Sequence, residues 1–271
     1  MKNTIKKVLY KTGTIDTARS AYNSLKTFSF KNLLDELSYK GGILPDGYPS
    51  PSRDLIFLII GLRWKSEYYN SGKKLYHQME SIFINKGISL NGLENILDFG
   101  CGCGRIIRHI HFNNSAASLY GSDYNPDLIK WCSKNLPFGQ FSVNQIAPPL
   151  EYQDSHFNLV YARSVFTHLT GTLQLNWMDE FRRILKPGGF LYLTTHGRST
   201  FKNLSGAENK ILEEKGILTL NQSIEGDNKC STYQTKFYVE NNFLNGFELF
   251  EFIPGENDSF SKQDIYILKK L

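Results

Sequence analysis

The residues best suited to chemistry stand in a glycine-rich stretch near the middle of the chain. Asp98 is followed by glycines at alternate positions from Gly100 to Gly104, and then by Arg105. Glycines let backbone N–H groups and a helix N-terminus approach a ligand closely, so this stretch predicts a nucleotide-like cofactor. The dinucleotide spacing G-x-G-x-x-G fails, because its third glycine would fall on Arg105 or Ile107, and no P-loop Gly-Lys-Ser/Thr follows.

Four further segments follow this D-x-G-x-G-x-G pattern in order, and together they resemble the class I S-adenosylmethionine-dependent methyltransferases. They are Gly121-Ser122-Asp123 at the end of a second strand, Asn144 after a third, the segment 154–160, and the segment 182–190 with its Lys-Pro-Gly-Gly turn. The resemblance covers about residues 90–271. It implies S-adenosylmethionine as cofactor and S-adenosylhomocysteine as product. The cofactor-binding residues it implies are Asp98, Gly100, Cys101, Gly102, Gly104, Asp123, Tyr124, Asn144, Gln145 and Arg163.

Two of these assignments carry specific roles. A carboxylate has the two acceptor oxygens needed to hold both ribose hydroxyls, which suits Asp123. Asn144 falls where the family usually has Asp contacting the adenine amino group, and Asn keeps a carbonyl acceptor while losing the charge. Asp123 is alternatively a helix cap for the segment that begins at Pro126.

Candidates for catalysis follow the fourth and fifth predicted strands, because ligands lie beyond the carboxyl ends of a parallel sheet. Methyl transfer to a hydroxyl needs alignment and a base, and histidine suits that work near neutral pH. His196, at the end of the fifth strand in a polar Thr-Thr-His-Gly run, is the first choice. His168 is the second, and Arg105 lies near the mouth of the site. Either histidine is alternatively a hydrogen-bonded structural imidazole.

The acceptor pocket is expected from segments that differ among methyltransferases, a cap over residues 41–75 and an insertion over residues 198–245. Substrate contacts are predicted at Trp64, Tyr68, Tyr233 and Arg198, since aromatic residues with arginine suit a sugar, an anionic sugar or phosphate, or a flat small molecule. The same aromatic residues also suit ordinary packing. The expected reaction is O-methylation of a small molecule or glycan, as in surface-glycan and natural-product pathways. N-methylation of an amino sugar or amine, a non-catalytic cofactor-binding module and, distantly, a dehydrogenase are the alternatives.

Nucleic acid is disfavoured as a substrate. Base amino-methyltransferases of this family carry an Asp/Asn/Ser-Pro-Pro-aromatic turn after the fourth strand, where this chain has Tyr161 to Ser164. Pro148-Pro149 precedes that strand instead.

The elements that position these residues alternate between short apolar runs and helical patterns from residue 94 onward. Such alternation predicts a parallel sheet covered by helices on both faces. The predicted strands are Asn95–Phe99, Ser118–Gly121, Phe141–Val143, Phe157–Tyr161 and Phe190–Thr195, with helices over Arg105–Phe112, Pro126–Asn135 and Thr172–Leu185. Two last runs, Phe247–Ile253 and Asp264–Leu268, have too short a connection for a crossover helix and should pair antiparallel.

The fold expected is therefore α/β, a Rossmann-like doubly wound sheet of five parallel strands plus a C-terminal antiparallel pair. Residues 1–90 are predicted to form a helical lead and cap, and residues 91–271 the methyltransferase core. Within the cap, the helical pattern from about Asp54 to Asn85 is expected to break near residues 70–72.

Charge is concentrated in the first 40 residues. They hold eight Lys/Arg against three Asp/Glu, whereas the rest of the 271-residue chain has 23 of each. This basic lead is either a solvated helix face or a contact for a membrane surface or a glycan-assembly partner. Without a long apolar stretch, the chain is expected to be cytoplasmic, peripheral at most to the inner membrane face. Four cysteines without metal-ligand spacing predict free thiols and no metal site.

Overall fold

The computed structural model describes residue 37 and residues 39–271, apart from positions 115, 225, 227, 228 and 259. The predicted basic helical lead lies almost entirely outside the described residues. The helices are α1 Arg53–Ile60, α2 Lys65–Asn85, α3 Ile107–Asn113, α4 Pro126–Asn135, α5 Gly171–Ile184, α6 Gly206–Lys215 and α7 Lys236–Phe243. The strands are β1 Asn95–Phe99, β2 Ser118–Asp123, β3 Gly139–Val143, β4 Phe157–Ala162, β5 Leu185–Thr195, β6 Ile217–Leu220, β7 Ser231–Gln234, β8 Phe247–Ile253 and β9 Asp264–Lys270.

The central sheet has seven strands in the order β3-β2-β1-β4-β5-β9-β8. Strands β1 to β5 run parallel, and β9 pairs antiparallel with both β5 and β8. This order confirms the predicted sheet of five parallel strands with a C-terminal antiparallel pair. It also brings the carboxyl ends of β1, β2 and β4 to one edge, where the strand order reverses, since the chain moves outward from β1 to β2 and β3 on one side and to β4 and β5 on the other.

Alternating apolar residues on the strands build a core on each face of the sheet. Leu97 and Phe99 of β1 pack with α5 and α7 residues such as Trp177 and Phe243. On the other face, Ile96 joins a cluster of α2 and α3 residues. Because both faces of a parallel sheet are covered, its strands read as nearly continuous apolar runs, which is why the sequence located them.

The cap differs from the prediction at its helix break. The chain leaves the helix at Gly61, which has a φ of 67°, and resumes it at Lys65; residues 70–72 are regular helix inside α2. Gly72 is a packing residue there, since a Cβ on it would overlap the backbone carbonyl of Arg105. The break expected at residues 70–72 was therefore wrong, because that glycine answers a tertiary contact rather than a turn.

Strand β5 is also longer than predicted. It starts at Leu185 and contains the Lys-Pro-Gly-Gly segment, with its pairing to β4 shifted between Phe157 and Leu159. The insertion over residues 198–245 folds as α6, an antiparallel β6–β7 hairpin and α7. An isolated bridge between His196 and Tyr233 fixes this hairpin beside the tip of β5. No helix among the described residues has the length and apolarity needed to cross a membrane.

Candidate functional site

A cavity of about 350 Å³ opens where β1, β2 and β4 end. Eight sequence-predicted residues line it: Gly100, Gly102, Arg105, Asp123, Tyr124, Asn144, Arg163 and His168. They come from segments up to 68 positions apart in the chain, from residue 100 to residue 168, and the parallel sheet brings them to one edge.

The glycine loop after β1 forms the floor of this cavity. Gly100, Gly102 and Gly104 have φ values of 75°, 56° and 69°, in the left-handed region that favours glycine. A Cβ on Gly100 would overlap the side chain of Val165. The N–H groups of Gly100 and Cys101 both donate to the carbonyl of Ser122, at 2.8 and 3.0 Å, which holds the loop against β2.

Asp123 ends β2 and ties two loops together. One carboxylate oxygen accepts from the N–H of Gly102 at 2.9 Å, and the other accepts from the N–H of Asn125 at 2.9 Å. Burial raises the pKa of Asp123, and the two N–H donors partly oppose that rise. The carboxylate thus supports the glycine loop and also lines the cavity. Its position is compatible with both roles considered from the sequence, a contact with ribose hydroxyls and a cap for the helix that begins at Pro126.

Asn144, after β3, lines the cavity together with Tyr124. Its amide nitrogen donates to the carbonyl of Gln145 at 2.7 Å, whereas its buried Oδ1 has no hydrogen-bond partner among the described residues. A buried carbonyl oxygen in that state favours a ligand with an N–H donor, such as the amino group of adenine. Together with the glycine loop and the carboxylate of Asp123, it fits a nucleoside cofactor.

Asp98 lies in β1 beneath the loop and outside the cavity wall. Burial raises the pKa of its carboxyl to about 7, while Tyr161 and Arg105 oppose the shift and Asp123 adds to it.

The two candidate histidines differ in position. His168 lines the cavity, and its Nδ1 lies 2.7 Å from the backbone carbonyl of Cys230. The ring of His196 lies 6.5 Å from that of His168, packs against Tyr233, and is not part of the cavity wall. Burial and the neighbouring His168 lower the pKa of His196 to about 4. The residue ranked second by sequence is the one that reaches the cavity.

Arg163 and Ser164, directly after β4, are held by the loop that joins β8 to β9. The guanidinium of Arg163 pairs with the buried carboxylate of Asp258 at 3.0 Å. Ser164 has a φ of 59°, and its hydroxyl donates to Gln263 Oε1 at 2.9 Å. Thr194 donates to the same oxygen at 2.7 Å and accepts from the N–H of Ser164 at 2.8 Å. A strained non-glycine residue at a cavity wall persists only because such contacts over-determine it.

The remaining sequence-predicted residues lie outside the cavity wall. Tyr68 is buried in α2, and its hydroxyl donates to the carbonyl of Cys103 at 2.5 Å, which fastens the cap to the glycine loop. Cys101 and Gly104 are buried within the glycine loop, and Gln145 and Arg198 are exposed. Trp64 directly precedes α2, and Tyr233 lies in β7 of the insertion. Trp64, Tyr68, Tyr233 and Arg198 do not line this cavity, and their contact with the substrate stays a prediction.

The cavity wall also contains residues that sequence reasoning missed. Leu58 and Ile59 of α1 line it from the cap, and Ile146, Trp177 and Gly226 complete the wall. The apolar run over residues 55–62 could have indicated a ligand-facing surface, because a short helix that is apolar on all sides leaves some of its apolar side chains outside the core. Leu58 is such a side chain, since it is exposed in α1. Gly226 gave no such indication, since its N–H reaches the carbonyl of His168 across 58 residues, at 2.9 Å.

Comparison with known proteins relates part of the chain to methyltransferases. Residues 97–193 match the family described as a methyltransferase domain. An uncharacterized methyltransferase of Synechocystis sp. is 26% identical over 124 residues, 45% of this chain and 54% of that protein. A malonyl-[acyl-carrier protein] O-methyltransferase of Coxiella burnetii is 25% identical over 109 residues, 40% of this chain and 36% of that protein. The chain thus matches about half, or less, of the length of these curated relatives.

A solved SAM-dependent methyltransferase of Methanosarcina mazei superposes with a TM-score of 0.53 at 20% identity. The match covers 69% of this chain and 97% of that one. The fold is that of the SAM-dependent methyltransferases. Residues 97–193 carry the match to the methyltransferase domain, and S-adenosylmethionine is the cofactor that this match and the cavity support.

Proposed function

We propose that this protein transfers the methyl group of S-adenosylmethionine to a hydroxyl oxygen of a small molecule or glycan, with His168 as general base. When bound, the cofactor supplies a methyl group activated by its sulfonium. Gly100, Gly102, Asp123 and Asn144 would hold it. The chain must then align the acceptor and remove its proton.

The observation that carries this proposal is the contact between His168 and the backbone carbonyl of Cys230. A carbonyl only accepts, so Nδ1 carries the proton and donates across the 2.7 Å contact. In the neutral ring, Nε2 is then the basic nitrogen. A carbonyl that fixes the tautomer of a cavity-lining histidine prepares it to accept a proton from a hydroxyl.

His196 suits the role less well. Its lowered pKa of about 4 makes it a weak base, and Tyr233 lies against its ring. We assign its ring the positioning of the β6–β7 hairpin, because it packs against Tyr233 with 5.0 Å between ring centroids, beside the backbone bond from Gln234 N–H to the His196 carbonyl.

Two features support a small acceptor with oxygen chemistry. The cap residues Leu58 and Ile59 close one side of a cavity of about 350 Å³, which limits the size of the acceptor that it can enclose. The Coxiella burnetii relative is named as a malonyl-[acyl-carrier protein] O-methyltransferase, which supports oxygen rather than nitrogen as the methylated atom. A malonyl group offers a carboxylate oxygen, so the choice of a hydroxyl rests on His168 alone.

The test is production of S-adenosylhomocysteine from S-adenosylmethionine with a panel of sugars, nucleotide sugars, hydroxy acids, amines and bulk tRNA. Magnetic resonance of the product would identify the methylated atom. With the acceptor that turns over, His168→Gln should lower kcat by roughly a hundredfold or more, the usual contribution of positioned proton transfer, and should leave cofactor affinity unchanged.

The matched control is His196→Gln, which should lower kcat by only a few-fold. A larger loss in His196→Gln than in His168→Gln would reverse the assignment of the base. A methylated amine or tRNA would contradict the proposed acceptor class. Tight cofactor binding without turnover across the panel would favour the non-catalytic binding module.

A further inference from the structure

Gln263 lies in the connection between β8 and β9 and reaches the segment that follows β4. It directly precedes β9 and is buried, and its backbone N–H donates to the buried carboxylate of Asp258 at 3.2 Å. The same carboxylate pairs with Arg163 at 3.0 Å. The backbone of Gln263 is therefore tied into the loop that holds Arg163, and its buried side-chain amide needs partners of its own.

The side-chain carbonyl of Gln263 accepts two hydroxyl groups. Ser164 donates to Oε1 at 2.9 Å, and Thr194 donates to it at 2.7 Å. The backbone of Ser164 is held as well, since its N–H donates to the Thr194 hydroxyl at 2.8 Å and its carbonyl accepts from the Thr167 hydroxyl at 3.0 Å. Because a carbonyl only accepts, the single hydrogen of the Ser164 hydroxyl is committed to Gln263.

The Ser164 oxygen keeps two lone pairs, and the residue lines the cavity. A hydroxyl in this state accepts a hydrogen bond from a ligand O–H or N–H group but cannot donate one. Ser164 also has a φ of 59°, in which a non-glycine residue is strained. A strained serine at a cavity wall, with its hydrogen directed away from any ligand, points to a binding role for its oxygen.

Strand order separates Ser164 from the groups that suit the nucleoside. Asp123 and Asn144 follow β2 and β3, which lie on one side of β1. Ser164 and His168 both follow β4, on the other side of β1, and both line the cavity. A substrate that brings its hydroxyl to His168 therefore meets the segment that carries Ser164.

We propose that Ser164 binds the methyl acceptor through a second O–H or N–H group of that substrate, and that Gln263 is the positioning residue that makes the Ser164 hydroxyl an acceptor only. The inference rests on the proposed function, because the first hydroxyl of the substrate gives its proton to His168. It narrows the substrate class to compounds with at least two hydrogen-bond donors, such as sugars and other polyols.

Three measurements on the full chain test the role of Ser164: methyl transfer to the acceptor that turns over in the panel, calorimetry with S-adenosylhomocysteine, and thermal unfolding. Ser164→Gly removes the hydroxyl and relieves the positive φ, so its Tm should equal or exceed that of the wild type. The KM for the acceptor should rise by about three- to tenfold, the loss of one neutral hydrogen bond. Both kcat and the affinity for S-adenosylhomocysteine should change by about twofold at most, because the lost contact is made equally before and during transfer.

The role of Gln263 is tested by Gln263→Met, which keeps the length of the side chain and removes its carbonyl. It should raise KM by about the same factor as Ser164→Gly. Since Gln263 acts through Ser164, the double variant should be no worse than either single variant. Losses that multiply in the double variant would overturn the positioning role. If Gln263→Met does not fold, Gln263→Glu keeps an acceptor oxygen: a wild-type KM supports the role, and a KM raised as in Ser164→Gly overturns it.

Ser155→Gly is the matched control. Ser155 has a φ of 53°, is exposed and does not line the cavity, so the same substitution should leave KM, kcat and cofactor affinity unchanged. The proposal for Ser164 would be overturned by an unchanged KM in Ser164→Gly, by weaker S-adenosylhomocysteine binding with an unchanged KM, or by an acceptor with a single hydrogen-bond donor. A wild type that turns over no acceptor would instead overturn the proposed function.

Discussion

The carboxylate of Asp123 should contribute to cofactor affinity through the ribose and to stability through the glycine loop. Its two oxygens already accept backbone N–H groups at 2.9 Å, and each has a second lone pair left for a ligand hydroxyl. Asp123→Ala removes all of these interactions at once. The two effects are separable, because one needs the ligand and the other does not.

The size of the affinity loss follows from the worth of hydrogen bonds to a charged group. Such bonds contribute about 1.5–3 kcal/mol. At about 1.4 kcal/mol per factor of ten, Asp123→Ala should weaken S-adenosylhomocysteine by about 10- to 150-fold. Without ligand, Asp123→Ala should melt a few degrees lower than the wild type, since two buried N–H groups lose their acceptor. Burial of the carboxylate, which raises the pKa of Asp123, offsets part of the stability that these two hydrogen bonds contribute in the wild type.

The assay is isothermal titration calorimetry with S-adenosylhomocysteine and its 2′-deoxy analogue, together with thermal unfolding of the unliganded protein. The wild type should bind the deoxy analogue more weakly, and Asp123→Ala should bind the two ligands alike. Asp127→Ala, which removes an exposed carboxylate from the first turn of α4, is the control and should change neither affinity. Wild-type affinity in Asp123→Ala, or a deoxy penalty that persists in it, would refute a ribose contact and leave Asp123 as a helix and loop cap.

Two further predictions concern charge. Because Asp98 has a pKa of about 7 in the protein and faces Arg105, Asp123 and Tyr161, binding of the positively charged S-adenosylmethionine should favour its ionised form. The affinity for S-adenosylmethionine should then rise by up to about tenfold from pH 6 to pH 8, and binding should release a proton. Asp98→Asn should remove this pH dependence. A pH dependence that persists in Asp98→Asn would assign it to another group. Removal of residues 1–11 should leave cofactor affinity intact and weaken sedimentation with anionic phospholipid vesicles, since clustered lysines contribute about 1 kcal/mol each near such a surface. Equal vesicle binding by the truncated and full chains would favour the solvated-face interpretation.

The loop after β1 and the strand pattern were readable from sequence because their causes are local. Three glycines at alternate positions require unusual backbone angles within one short stretch, and all three have positive φ. Strands buried on both faces appear as apolar runs, and a short connection forces β8 and β9 to pair antiparallel. These constraints act within about ten residues, so no tertiary information was needed to place them.

The choice between the two histidines depended on contacts that no local pattern encodes. Both follow a parallel strand, and both stand in short polar or aromatic runs. His168 reaches the cavity with its tautomer set by Cys230, 62 positions away. A rotation of either ring, or a different path of the inserted hairpin, would have reversed their order without any change in the local sequence.

The state of Arg105 was equally beyond the sequence. Its position near the mouth followed from the glycine loop, but whether a carboxylate neutralises it depends on where Asp46, Asp98 and Asp258 fall after folding. The sequence determined which residues gather at the edge of the sheet, because strand order and loop geometry have local causes. Only the tertiary structure decided which of those side chains are left with unused hydrogen-bonding capacity, because that depends on partners up to 99 positions distant in the chain.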